Sequence, residues 1–271
     1  MIIPKIIYSD DRLLVLDKPP GLVVDPAESV KGETLADILQ KDFNIKLFRG
    51  GIAHRLDKDT SGLILIAKTQ AVLENLQSQF KERIVKKEYL ALVHGHIKDI
   101  GIVDASIIRN PLNREKFTVA SQGVPLEARP ACQRLSVAMA GREAVTEYEP
   151  VKLLVMSSEL IEKIFEGFNK IQLRKLRTMN YQLYTLLKCK PKTGRTHQIR
   201  VHLKYINHPI VSDEKYSGRK MNRLDKRWCP RMFLHAAKIG FKHPVSGEWM
   251  ELESELPEDL EKALSLLSSQ I

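Results

Sequence analysis

The sequence predicts an α+β fold, a single domain with two lobes, and three observations predict it. Strand-like and helix-like stretches interleave from the first residues onward instead of segregating into separate halves. No repeat, low-complexity segment or Pro/Gly-rich linker divides the 271 residues. At that length, 43% hydrophobic and 28% charged residues are enough for a real core under a charged surface.

The elements follow in order. "IIYSDDRLLVL" (6–16) reads as two short strands around an Asp-Asp turn, stopped by "DKPPG" at 17–21. "GLVVDP" is a third extended piece, and "ETLADILQKDF" spaces Leu35, Ile38 and Leu39 as a helix. "LILIAKT" is a buried strand, followed by the helix "QAVLENLQSQFKERI"; "KKEYLALVHGHI" is a central strand ending at Gly95. Residues 98–150 read as short strands and turns. "EAVTEYEPVKLLV" and "YQLYTLLKCKP" are longer strands flanking a helical insertion at 157–180, with Ser158 as its N-cap and Leu160, Ile161, Ile164, Phe165 and Phe168 on one stripe. "THQIRVHLKYINHP" is a helix opened by Thr196 and stopped at 207–209. Residues 217–231 read as a loop, "HPVSGE" as a turn between two strands, and the last residues as a short helix.

Charge and cysteine usage narrow the partners. Against 33 Asp+Glu stand 43 Lys+Arg, a formal net charge of +10, which favours a polyanion, nucleic acid first. Cys132, Cys189 and Cys229 are odd in number and scattered, so neither a disulfide framework nor a metal site is expected, and a reducing, cytoplasmic setting is. The N-terminus lacks a signal-peptide pattern, and no apolar run approaches the roughly 18 residues of a membrane span, so no membrane partner is expected.

Walker A, GxGxxG, HExxH and GxSxG patterns are all missing, which removes the common nucleotide, dinucleotide, zinc-protease and hydrolase templates. Three polar clusters sit instead at the ends of apolar strands: "HRLD" (54–57), "KKEY" (86–89) and "TGRTHQIR" (193–200). In an extended "AHRLD", Arg55 and Asp57 share one side and His54 and Leu56 the other. That is a carboxylate and a guanidinium facing one cleft, or else an ordinary salt bridge or a turn-stabilising Asp. "GRTHQIR" by itself reads as a helix start with solvated Arg200 and Lys204.

Taken together and in order, "KPPG", "GIAHRLDKDTSGLILIAKT", "KKEYLALVHG", "GREAVTEY", "TGRTHQIRVHL" with "HPIVSDEKY", and "LHAAKIGFKHPVSGE" make the chain resemble the RluA-type pseudouridine synthases over most of residues 6–257. The resemblance implies one catalytic domain over 1–271: a mixed, mostly antiparallel central sheet flanked by helices and loops, with two lobes around an active-site cleft. It also implies isomerisation of uridine in RNA without cofactor or metal, the base being detached from C1′, turned and rejoined through C5. Asp57 takes the place of the nucleophile, Arg195 of its charge partner and Tyr89 of the tyrosine that stacks on uracil. Arg55 is placed to fill the space left by a flipped nucleotide, and Ile199 to pack against the base; His54, which orients the loop, and Arg200 are further substrate-binding candidates. Asp59 reads as a turn residue binding backbone N–H groups.

Phosphate contacts are expected from Arg219, Lys220, Arg223, Lys226, Arg227 and Arg231, and also from Arg174, Lys175 and Arg177 in the insertion. Two departures from the family pattern stand out. Ser212 occupies a position that is often Gly, and the 157–180 segment exceeds the expected connection, serving as an RNA contact, a partner contact or, preferred here, packing. The chain is expected to begin directly at the catalytic domain, without the S4-type RNA-binding module that many members of the family carry in front. Large-subunit rRNA is the expected target, tRNA the second, and a monomer the expected state. The rivals are a catalytically idle RNA-binding or ribosome-assembly protein and a retaining glycosidase or nucleosidase; the latter needs a second carboxylate as acid about 5 Å from the first.

Overall fold

The computed structural model describes residues 4–26, 32–120, 141–178 and 181–269. Cys132 and the last two residues of the insertion, 179 and 180, lie outside the described residues, as does the side chain of Arg177. The fold is α+β, and its strands pair mostly antiparallel. The chain divides into two compact units, Met1–Tyr89 with Leu234–Pro257, and Leu90–Phe233 with Glu258–Ile271.

The first unit is built on strands β1 (Lys5–Ser9), β2 (Leu13–Lys18), β3 (Ser61–Ala67), β10 (Leu234–Lys242) and β11 (Trp249–Glu253). Strand β2 is antiparallel to β1 and β3, β10 is parallel to β3 and antiparallel to β11. The Asp-Asp turn forms as predicted: Asp10 Oδ1 accepts the N–H groups of Arg12 and Leu13 at 2.7 Å each. The runs "LLVL" and "LILIA" are continuous rather than alternating because both faces of this sheet are covered. Leu14, Leu16, Ile64 and Ile66 pack under helix α1 (Leu35–Asp42), while Leu13, Val15, Leu63 and Leu65 pack with Val72, Leu73 and Leu76 of helix α2 (Gln70–Lys81). Helix α1 starts where its capping box, Thr34 with Asp37, dictates. "GLVVDP" forms no strand; it is held by hydrogen bonds from Leu35 N to Val23 O and Ala36 N to Val24 O.

In the second unit, β8 (Val145–Val155) runs antiparallel to β9 (Leu183–Pro191) along its whole length, with β5 (Gly101–Asp104) and the two-residue β12 (Ser268–Ser269) on its other edge. Strands β6 (Ile107–Arg109) and β7 (Phe117–Val119) form a separate hairpin. Strand β4 (Lys86–His94) runs from the last residues of the first unit into the second. The insertion is two helices, α3 (Ser158–Ile164) and α4 (Lys170–Thr178); its N-cap is Ser157, whose hydroxyl accepts the Leu160 N–H, one residue earlier than the sequence suggests. Helix α5 spans Gln198–Tyr205, two residues later than Thr196, since His197 is left-handed at φ 56° and cannot be helical. Residues 219–225, read as loop, form helix α6, and α7 (Glu258–Ser265) is the expected C-terminal helix.

Candidate active site

In the first unit, residues 51–62 carry Asp57 on a loop fastened at both ends. Gly51 lies against the Ala67 carbonyl so closely that a Cβ would sit 2.1 Å from its oxygen. From there the chain follows β3, with Ala53 N donating to Leu65 O at 3.0 Å and Leu65 N donating to His54 Nε2 at 3.1 Å. At the other end Gly62, at φ 114°, presses on Ala236, whose oxygen would be 2.3 Å from a Cβ. Ser61 Oγ donates to His235 Nδ1 at 3.0 Å, and His235 Nε2 donates to Ser254 O at 3.2 Å.

Between these anchors the chain is not a strand: Leu56 is buried and Arg55 exposed, while His54 and Asp57 are both half-buried. Asp57 O accepts the Thr60 N–H, closing a turn that leaves Asp59 exposed. A residue the motif reading overlooked holds this turn from beneath. Lys18 is 0% exposed, and its ammonium donates to Pro19 O (2.8 Å), Leu22 O (3.0 Å) and Lys58 O (3.0 Å). Three carbonyls replace the water a buried ammonium would lose, so "DKPPG" acts as a latch under the Asp57 turn. The signal for it in the sequence is a lysine closing an apolar strand just before two prolines.

His54 is read directly from its bond. Burial, assisted by the nearby Lys87 charge, lowers its pKa to about 3, so the ring is neutral, accepts through Nε2 and stacks on Phe80 at 4.8 Å. Tyr89 packs on the same apolar cluster as Leu56 and Ala236. Burial and then the Asp57 carboxylate push its hydroxyl well above the ordinary tyrosine range. Asp57 and Tyr89 are thus brought together electrostatically.

In the second unit, Gln198 organises "TGRTHQIR". Its Oε1 accepts from Thr193 Oγ1 (2.6 Å) and Arg195 N (3.0 Å), and its Nε2 donates to Val145 O (2.9 Å) and Thr146 Oγ1 (3.0 Å). Thr146 in turn donates to His202 Nδ1 at 2.8 Å, and His202 Nε2 donates to Ala105 O at 2.9 Å. This all-satisfied network fixes the backbone of Arg195, whose Nε donates to Glu143 O at 3.0 Å. Ile199 is buried. Arg200 forms a two-pronged pair with Asp213, 2.8 Å on each prong, and stacks on Tyr216. Asp213 is 0% exposed and takes two further N–H groups, from Lys215 and Tyr216.

The six cations at 219–231 divide. Arg219, Lys220, Arg223 and Lys226 are exposed, and Lys226 lies 3.8 Å from Glu214. Arg231 is paired with Asp259 at 2.6 and 3.0 Å, and Arg227 stacks on Phe165 and Phe168. Among the described residues no group of three or more His, Cys, Asp or Glu is gathered as a metal would require, and no helix is long and apolar enough to cross a membrane.

Comparison with known proteins defines the class. Residues 12–205 match the family described as RNA pseudouridylate synthase, and the chain belongs to that family; its activity is that of an RNA pseudouridine synthase, an isomerase. Particular relatives share nearly its whole length. The ribosomal large subunit pseudouridine synthase D of Zymomonas mobilis subsp. mobilis is 33% identical over 97% of this chain and 72% of its own. The ribosomal large subunit pseudouridine synthase C of Vibrio parahaemolyticus is 34% identical over 96% of this chain and 68% of its own. Among solved structures, human RNA Pseudouridylate Synthase Domain Containing 1 matches with a TM-score of 0.69 at 25% identity, covering 99% of this chain and 89% of that one.

Proposed function

We propose that the chain converts one or a few uridines of large-subunit ribosomal RNA to pseudouridine, with Asp57 as the nucleophile. Kinship with the large-subunit synthases C and D supports the target, and a net charge of +10 suits an RNA. The reaction breaks the C1′–N1 bond, turns the uracil and joins C1′ to C5, which gives up its proton while N1 gains one. Atoms balance and no electrons enter or leave. Asp57 attacks C1′ or stabilises the sugar as the bond breaks. Tyr89 keeps its proton beside that carboxylate, so its part is to stack on the base and donate a hydrogen bond. Arg195 supplies the guanidinium the chemistry needs, Arg55 occupies the stack vacated by the flipped nucleotide, and Ile199 offers the base an apolar contact. His54 and Arg200, both bonded within the fold, position these groups.

The observation that carries the reading is a half-buried Asp57 on a turn latched by Lys18, next to a tyrosine kept protonated by burial and by that same charge. Carbodiimide mapping of pseudouridine in total RNA tests it, comparing cells with the wild-type chain, Asp57→Asn or a deletion. The reading expects the same one or few large-subunit sites to vanish in both altered strains. Sites lost only from tRNA would move the target; no lost site at all would sink the assignment.

A further inference from the structure

Antiparallel strands such as β8 and β9 can be joined by two residues, yet here the connection builds α3 and α4. Little of α4 serves as packing. Leu176 is buried and Leu173 half-buried, whereas Lys170, Ile171, Gln172, Arg174 and Lys175 are exposed. The helix, "KIQLRKLRT", contains no acidic residue, and Lys170 and Arg174 stand one turn apart on one face.

Arg227, two residues past the end of α6, joins that helix to the end of α3 and to the connection that leads into α4. Its guanidinium donates to Ile164 O, at the end of α3, at 3.3 Å. It also lies over the rings of Phe165 and Phe168, 5.5 and 4.8 Å from their centres. Beneath, Phe165 packs edge-on against Tyr181, and Tyr181 accepts from Trp228 Nε1 and donates to Asp225 at 2.8 Å. Asp225, the one acid of α6, is 0% exposed and also takes His94 Nε2 and Ser212 N. The acid is turned inward and Arg219, Lys220, Arg223 and Lys226 outward, so α6, like α4, exposes no acidic residue of its own; the exposed acids nearby, Glu159, Glu162 and Glu166, belong to α3 and the connection after it.

We propose that α4 and the outward face of α6, linked by Arg227 through the connection that leads into α4, form a second RNA contact that grips backbone phosphates away from the nucleotide being isomerised. The inference rests on the RNA reading above. Position supports it: α4 adjoins the Leu183 end of β9 and Arg195 follows the other end, about 25 Å away at the usual strand rise. Contacts at that distance reach a neighbouring stretch of a structured RNA, where phosphates position without reading bases. An anionic membrane fits less well, because a surface helix must offer its apolar stripe to lipid, and Leu173 and Leu176 are turned into the fold. Arg227 is then the clasp and not itself a phosphate ligand.

The test measures equilibrium binding of a large-subunit rRNA transcript across a salt series, with unfolding midpoints as a folding control. The double variant Lys170→Gln, Arg174→Gln should lower the slope of log K against log salt by about 1.5 and raise Kd about tenfold at physiological salt. Arg227→Lys keeps the charge but gives up the planar stack, so it should also weaken binding; a plain phosphate ligand would tolerate it. An unchanged slope in the double variant overturns the proposal. So does binding to vesicles containing a quarter phosphatidylglycerol, if that is what the double variant loses while its RNA slope stays put. These readouts need no turnover, whereas a wild-type chain that forms no pseudouridine would overturn the reading beneath, not this one.

Discussion

Burial and the Asp57 carboxylate both hold the Tyr89 proton in place, so the hydroxyl cannot serve as a base near neutral pH. Tyr89→Phe should therefore keep turnover within about tenfold, while Tyr89→Ala should lose the roughly 1–3 kcal/mol of base stacking; single-turnover rates on rRNA transcripts decide between them. Asp57→Asn, which keeps the shape and removes the carboxylate proposed as the nucleophile, should fall roughly 10³-fold or more in the same assay. Ser212 makes a different kind of forecast. It sits at φ 57°, a left-handed position that suits the glycine often found there, and its hydroxyl donates to Cys229 O at 2.6 Å. Ser212→Ala keeps the strain and loses the bond, about 1 kcal/mol; Ser212→Gly loses the bond but relieves about 1–2 kcal/mol of backbone strain. Chemical denaturation should accordingly rank Ala below Gly. At this scale the sequence revealed what motifs mark and hid what long-range pairing decides. Asp57, Tyr89 and Arg195 could be singled out only from several motifs taken together in order as a family resemblance, whereas the Arg200–Asp213 pair joins a helix to a turn 13 residues on, and no spacing rule announces it.

Among the elements, the 51–62 loop depends on neutral and charged states that acid reverses. His54 titrates near 6.5 in an unfolded chain and near 3 in the fold. Below 6.5 the unfolded state binds the extra proton, so this contribution to stability is complete above 6.5 and is lost as pH falls towards 3. At the β1–β2 turn, burial raises the Asp10 pKa, but hydrogen bonds from Tyr8, Arg12 N, Leu13 N and His243 outweigh it and hold it at about 2. Its contribution is present above about 4 and lost from there down to 2. Denaturation midpoints measured from pH 8 to pH 3 should decline below about 6.5, and His54→Gln should flatten the first part of that decline. The helices with strong caps and buried stripes, α1 and α2, were plain in the sequence. Helix α6 was not: it has seven residues, begins at Gly218 without a side-chain cap, and buries only Leu224 and Asp225, so its dense charge masked it.

For the molecule as a whole, positive charge is organised and not merely abundant. Arg231 and Arg227 make contacts within the fold, while Arg219, Lys220, Arg223 and Lys226 are exposed and are the cations proposed to meet phosphate. Neutralising those four should lower the RNA salt slope by about 3, while Arg231→Gln should act mainly by loosening α7 through Asp259, seen as a lower unfolding midpoint. The sequence conveyed the α+β class through its interleaved segments and its partner through net charge; it did not convey that residues 234–257 return to complete the first unit. That return has a consequence for synthesis. Gly62 needs Ala236 against it and Ser61 needs His235, but all of Leu90–Phe233 leaves the ribosome first, several seconds of elongation at about 5–20 residues per second. A nascent chain thus carries Asp57 long before it carries the strand that seats it. The loop that carries Asp57 is among the last parts to set, and a chain broken off before residue 234 has Asp57 without its scaffold.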